Sequence, residues 1–158
     1  MDRTLIDRFD ADADVPAKAI EGLTREDLLA FPVPGTWSIQ QLIVHLMDSH
    51  VTAAWRMRKI LGEKNPLLTA YDENGFVKNC CYEQTDAKVA VEIFRLTQRM
   101  MADVLRQLPD SSFARTGIHT ESGKVTLGGM VASYIQHLEH HMGFLREKRK
   151  ALKKPLPA

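Results

Sequence analysis

Apolar residues recur at intervals of three and four along most of this chain, a spacing typical of amphipathic helices rather than strands. The pattern predicts a first helix over about residues 2–22. Pro16 lacks the donor that an uninterrupted helix needs, so we expect a kink or an N-terminal arm there. A short helix is predicted after Thr24. Three further long helices are predicted over about residues 39–61, 86–108 and 127–151.

The ends of the predicted helices carry recognisable signals. Ser38 begins the sequence SIQQ, which has the form of a capping box, and Thr24 begins an imperfect one. Thr126 is placed to cap the last helix. Gly62 and Pro109 follow the apolar patterns of the second and third long helices, and both residue types stop helices. The helix boundaries are therefore predicted by side-chain chemistry as well as by periodicity.

Each central helix presents one apolar stripe that we expect to face the core. In the second long helix the stripe is Leu42, Leu46, Ser49, Ala53, Met57 and Ile60. In the third it is Val89, Ile93, Leu96, Met100, Val104 and Leu108. Two tryptophans, Trp37 and Trp55, are expected to pack in the core or against a helix cap.

Two connections between the helices have no helical period. Residues 63–84 form a long crossover, and residues 111–125 suggest a turn or small hairpin around 121–123. Four long helices with a long crossover between the second and third predict an all-α fold, a four-helix bundle. We expect one domain over residues 1–158, with a basic tail from about residue 150.

Composition limits the possible functions of the chain. The net charge of +1 gives no field that would favour nucleic acid. Cys80 and Cys81 are adjacent, which disfavours a disulfide and fits a reducing compartment. The N-terminus has no signal-peptide core, and no run reaches the ~20 apolar residues of a membrane span. We therefore expect a soluble, cytoplasmic protein that contacts neither nucleic acid nor membrane.

Three of the six histidines lie in the stretch ASYIQHLEHHMGFL, residues 132–145. His137 and His141 are four residues apart, so they share one helix face, one turn apart. His140 is turned about 60° away from that face, because each residue advances about 100°. An i, i+4 pair can supply two ligands to a divalent ion, whereas a catalytic metal generally has three protein ligands and an open position.

The second long helix offers a third ligand in IVHLMDSH. His45 lies at the edge of its core stripe, and Asp48 follows one turn later, placed to accept a hydrogen bond from a ligand imidazole or a bound water. His50 lies on a different face. The alternative interpretation is structural, because isolated histidines at such spacings are often packed or surface residues with satisfied hydrogen bonds.

Several of these motifs together resemble the DinB-like superfamily, in particular its YfiT-like branch. The matching segments are GTWSIQQLIVHLMDSH, AYDENGF in the crossover, an E-S-G turn, and SYIQHLEHHMGFL. The resemblance implies a four-helix bundle in up-down-down-up order. It also implies one divalent metal held by His45, His137 and His141. Homodimers are common among such proteins, so a homodimer is expected.

The resemblance implies an enzyme that is either a metal-dependent hydrolase or a thiol S-transferase of the bacillithiol type. The expected metal is Zn²⁺ or Ni²⁺, with Mn²⁺ and Fe²⁺ as alternatives. The expected substrates are a small-molecule thiol and an electrophile. Asp48, His50 and Tyr71 are candidate catalytic residues, for proton handling or substrate positioning. A non-catalytic protein that binds a metal or small ligand is the remaining alternative.

Overall fold

The computed structural model describes residues 3–156, and seven helices and three short strands account for most of them. The long helices are α4 (Ile39–Gly62), α6 (Ala87–Arg106) and α7 (Leu127–Ala151). The shorter helices are α1 (Thr4–Ala11), α2 (Val15–Ala19), α3 (Arg25–Leu29) and α5 (Glu73–Asn79). The strands are β1 (Leu67–Leu68), β2 (Thr116–His119) and β3 (Gly123–Thr126). No helix of residues 3–156 has the length and apolar character of a membrane span.

The predicted first helix is interrupted, as the proline suggested. A 3₁₀ turn, Asp12–Asp14, separates α1 from α2, and Pro16 lies in the first turn of α2. A proline is tolerated there because the first-turn N–H groups have no partner within the helix. Gly22 then adopts φ +73°, the left-handed conformation that ends the segment.

The start of α4 is fixed by the predicted capping box. The Ser38 hydroxyl accepts the Gln41 N–H at 3.0 Å, and the Gln41 side chain accepts the Ser38 N–H at 3.0 Å. Thr24 and Asp27 form the same reciprocal pair at α3. A fixed helix start sets the rotation of every later side chain on α4, including that of His45, two turns further on.

Two buried clusters define the helix directions. One cluster contains the first turns of α4 and α6 together with the C-terminal half of α7. The other contains the last turns of α4 and α6, the first turns of α7, and Ile6 and Phe9 of α1. Helices α4 and α6 are therefore parallel, whereas α7 and the α1–α2 segment run the opposite way. This is the predicted up-down-down-up bundle.

The predicted core face of α6 is wrong over most of its length. Leu96 is 54% exposed, and Val89, Ile93 and Met100 are exposed with it. Trp55 of α4, also expected to be packed, is 63% exposed. The residues that actually face the core are Ala87, Ala90, Val91, Phe94, Gln98, Met101, Ala102 and Leu105. The polar Gln98 interrupts this buried stripe, so the apolar pattern of the sequence did not indicate it. The alanines of the stripe allow α4 to approach α6 closely.

A small three-stranded sheet joins the crossover to the segment before α7. Strands β2 and β3 form the predicted hairpin, and β1 from the crossover pairs in parallel with β2. Strand β1 was not predicted, since two residues give no periodic signal. Gly117 of β2 lies against Leu68 so closely that a Cβ would come within 2.9 Å of the leucine Cδ1. The pairing holds the crossover beside the ends of α4 and α7.

Candidate metal centre

Three imidazoles from two helices converge in the middle of the bundle. His45 comes from α4, and His137 and His141 come from successive turns of α7. The Nε2 atom of His137 lies 3.4 Å from Nε2 of His45 and 3.1 Å from Nε2 of His141. Zinc–nitrogen bonds of about 2.0–2.1 Å at tetrahedral angles place ligand nitrogens about 3.3 Å apart. The three side chains thus have the spacing of a divalent ion's ligands.

Burial keeps all three imidazoles neutral. It lowers the pKa of His45 and of His137 to about 4, and with the neighbouring histidines it lowers the pKa of His141 to about 3. A neutral imidazole has a free lone pair, so no proton competes with a metal near pH 7. The donor set of three neutral nitrogens therefore fits a divalent cation.

The tryptophan before α4 packs on this cluster. The Trp37 ring is stacked on His141, with an interplanar angle of 3° and centroids 6.5 Å apart, and lies 5.0 Å from the His45 ring. The indole therefore borders two of the three imidazoles. The sequence predicted that Trp37 packs in the core or against a cap, and no local pattern indicated its position beside the histidines.

Two recesses open beside the three histidines. The larger, about 550 Å³, lies next to His137 between α4, α7, the crossover and the β2–β3 hairpin; we call it the polar recess. The smaller, about 270 Å³, lies on the other side against Trp37, His141 and Phe144; we call it the apolar recess. The three-histidine cluster therefore borders a polar recess at His137 and an apolar recess at His141.

Tyr71, a candidate for proton handling or substrate positioning, lines the polar recess. Its hydroxyl is buried beside the Ser49 side chain, and burial raises its pKa to about 12. The group is thus a protonated donor at neutral pH. Its position depends on the crossover, which the β1–β2 pairing holds in place.

Asp48 and His50, the other two candidate catalytic residues, are not among the residues that line the two recesses. Asp48 accepts a hydrogen bond from the Tyr82 hydroxyl at 2.6 Å instead of from a ligand imidazole, and the Nδ1 atom of His45 is buried without a partner. His50 is enclosed in the core, with its ring 3.9 Å from that of Phe94 and its Nδ1 3.2 Å from the Leu46 carbonyl oxygen. The structure does not bring His50 to either recess.

The other candidates of the sequence occupy peripheral positions. His140 is exposed and packs on Phe144, which agrees with its expected bystander role. His119 lies at the edge of the polar recess, where its Nδ1 accepts backbone N–H groups of the hairpin turn at 3.3 Å. Cys80 and Cys81 are exposed and unbridged.

The fold and the site define a class: a helical bundle with an open cluster of three histidines between facing helices. A family model described as the DinB superfamily matches residues 8–145, and the chain belongs to that superfamily. The resemblance seen in the sequence is thereby confirmed.

Curated relatives share this description. The Oceanobacillus iheyensis protein named "Putative metal-dependent hydrolase OB0782" is 30% identical over 111 residues, which are 70% of this chain and 64% of that relative. The Bacillus subtilis protein named "Putative metal-dependent hydrolase YfiT" is 28% identical over 138 residues, 85% of this chain and 78% of that relative. This chain thus spans slightly less than two thirds of the first relative's length.

Solved structures agree with the fold. The structure of YfiT from Bacillus subtilis, described as "a probable metal-dependent hydrolase with an unusual four-helix bundle topology", matches with a TM-score of 0.86 at 25% identity, covering 95% of this chain and 86% of that one. A second DinB-like protein from Bacillus subtilis matches with a TM-score of 0.68 at 18% identity, covering 98% and 96%. The second match bears on the fold alone.

Proposed function

We propose that this protein is a metal-dependent enzyme in which His45, His137 and His141 hold one divalent ion, and that it transfers a thiol to a small electrophile. The observation that carries the proposal is the convergence of three neutral imidazole nitrogens at 3.1 and 3.4 Å between two recesses. The names of the curated relatives support the metal-dependent part. Zn²⁺ or Ni²⁺ suits such a donor set, with Mn²⁺ or Fe²⁺ as alternatives.

The chemistry follows from the charge of the ligand set. When bound, a divalent ion on three neutral ligands keeps its full charge and lowers the pKa of a coordinated thiol or water. The histidines would hold the ion, Trp37 borders two of their rings, and the Tyr71 hydroxyl offers a hydrogen bond to substrate. In S-transfer the thiol releases its proton to solvent, a sulfur–carbon bond forms, and the leaving group departs with the electron pair.

The two recesses favour a reaction of two substrates. A thiol and an electrophile must meet near the ion, and the polar recess is lined by His137 while the apolar recess is lined by His141. Hydrolysis through metal-bound water needs one substrate site only. It is the second candidate function, because the relatives are named as hydrolases.

The test combines metal analysis with paired assays on protein purified without a His tag or chelator. We expect one divalent ion per chain and turnover of a thiol with 1-chloro-2,4-dinitrobenzene, both lost in His45→Ala. His140→Ala is the matched control, because this exposed histidine lies next to the site. Ester hydrolysis without thiol consumption would favour the second candidate. Bound metal without turnover in either assay would leave a non-catalytic binder.

We also propose a homodimer formed through the exposed apolar face of α4 and α6. The face comprises Val51, Trp55, Val89, Ile93, Leu96 and Met100. A contact of 3.5 Å between an Arg58 nitrogen and the Met100 sulfur shows that the exposed sides of the two helices adjoin. Such patches usually mark interfaces. Light scattering should give twice the chain mass for the native protein and one chain mass for Leu96→Lys; a monomeric native protein would overturn the proposal.

A further inference from the structure

Arg56 of α4 is a buried cation. Its side chain lines the polar recess, and the residue is only 8% exposed. Among residues 3–156, no carboxylate oxygen lies within 4.0 Å of its guanidinium nitrogens. Removing a charge from water without a compensating partner is costly to a fold. A guanidinium kept in that state indicates a binding role.

The hydrogen bonds of Arg56 leave its charge uncompensated. One terminal nitrogen donates to the Tyr134 hydroxyl at 3.1 Å and the other to the Thr69 carbonyl oxygen at 2.5 Å, and both acceptors are neutral. Its Nε is buried, and no described residue hydrogen-bonds to it. A guanidinium has five N–H donors in a rigid fork that matches a carboxylate. Several donors therefore remain for a ligand.

The position of Arg56 relates it to the metal cluster. Arg56 and His137 line the same recess, and Tyr134 lies between them. The Tyr134 hydroxyl accepts the Arg56 hydrogen bond, while its ring centroid is 5.9 Å from that of His137. Tyr71 lines the same recess, with the Arg56 guanidinium 6.0 Å from its ring. A ligand anchored at Arg56 would extend toward the histidines.

We propose that Arg56, assisted by the Tyr71 hydroxyl, binds a carboxylate of the thiol substrate and aims its sulfur at the three histidines. The proposal rests on the proposed function for the identity of the substrate, but the carboxylate site itself does not depend on a metal. A single carboxylate fits better than a phosphate, because exposed Glu73 and Glu121 line the same recess and repel a dianion. Lys124, also exposed, offsets only part of that charge.

The first test measures binding in the absence of metal chemistry. Propanoate is titrated into the full-length protein, metal-free and metal-loaded, at constant ionic strength, with neutral propanamide as the paired probe. At ten times the dissociation constant, propanoate should raise the melting temperature by about 3–5 °C. Propanamide should give no comparable shift, and inorganic phosphate should bind more weakly than propanoate.

Variants locate the site. Arg56→Gln should lose the propanoate shift, whereas Arg58→Gln, the same change on the exposed side of α4, should keep it. Tyr71→Phe should weaken binding about three- to tenfold, and it provides a test if Arg56→Gln does not fold. An unchanged shift in Arg56→Gln, no saturable shift in the native protein, or tighter binding of phosphate would each overturn the proposal.

A second test connects the site to turnover. With the metal-loaded enzyme, kcat/KM for 3-mercaptopropanoate should exceed that for 2-mercaptoethanol about tenfold or more, after correction for thiolate fraction. In folded Arg56→Gln the ratio of the two values should fall to about one. If no thiol is turned over but propanoate still binds through Arg56, the proposed reaction is wrong and the carboxylate site stands. If thiols are turned over with no preference for 3-mercaptopropanoate, the proposed reaction stands and the carboxylate site is wrong.

Discussion

Substitution of His137 should remove most of the stabilisation that a bound divalent metal gives to the folded protein. The Nε2 of His137 lies 3.4 Å from Nε2 of His45 and 3.1 Å from Nε2 of His141. A metal that binds the folded chain and not the unfolded one stabilises it by about 2.7 kcal/mol at a free concentration one hundred times the dissociation constant. For a chain of 158 residues this corresponds to a rise in melting temperature of about 5–10 °C.

The loss expected in His137→Ala follows from the number of ligands. Removing a group that only orients a ligand weakens metal binding 10–100-fold, so removing a ligand itself should cost more than about 100-fold. At the same metal concentration the shift then falls below about 2 °C. Proton competition does not confuse the measurement at pH 7.5, because the pKa values of His45 and His137 are about 4 and that of His141 is about 3.

The assay is a thermal melt followed by circular dichroism, with and without Zn²⁺ or Ni²⁺, on chelator-treated protein. His140→Ala is the control, because it removes an exposed imidazole from the neighbouring position and should keep the full shift. If His137→Ala retained the metal-induced rise of the native protein, the three histidines would not be the ligands. An equal loss in both variants would point to non-specific binding.

Three further predictions concern stability. Metal-free protein should lose stability as the pH falls from 6.5 toward 4, by up to about 1.4 kcal/mol per pH unit for each buried histidine. The cause is that the unfolded chain takes up protons in this range, whereas the folded-state pKa values of His45 and His137 are about 4. Denaturant titrations at several pH values measure the loss, and a flat profile would contradict the prediction. Ser38→Ala should cost about 1 kcal/mol through the lost cap while leaving metal stoichiometry intact, as measured by urea unfolding and elemental analysis; no loss would mean that the cap does not anchor α4. Phe94→Ala should lower the free energy of unfolding by about 3–5 kcal/mol and Leu96→Ala by less than about 0.5 kcal/mol in monomeric protein, because Phe94 is buried and Leu96 is exposed. If urea unfolding gave the reverse order, Leu96 and not Phe94 would face the core.

Local chemistry made much of the fold predictable. Ser38 and Thr126 mark their helices because the unpaired N–H groups of a helix start need an acceptor, and that need does not depend on the rest of the fold. The grouping of His137 and His141 followed from helical geometry alone. Convergence with His45 required the bundle order, which came from the family resemblance.

The remaining features depend on contacts between distant parts of the chain. The true stripe of α6 contains Gln98, which is buried because its amide donates to the Phe9 carbonyl oxygen of α1, a contact that no local pattern shows. Arg56 escaped notice for a similar reason. A charged residue beside an apolar stripe usually reaches solvent, and only the folded recess shows that this one does not.

The polar recess is bounded by two kinds of structure, the helices of the bundle and the crossover and hairpin joined by the β1–β2 pairing, and they should differ in tolerance to substitution. Helices α4 and α7 carry the three histidines and pack into both core clusters, so most substitutions there would disturb the bundle. The crossover and the hairpin supply the outer wall of the polar recess. Leu68 and Tyr82 anchor the crossover in the core, whereas α5 and β3 contain no buried residue. Substitutions in the outer wall could therefore alter which molecules fit the recess while the three histidines keep their positions.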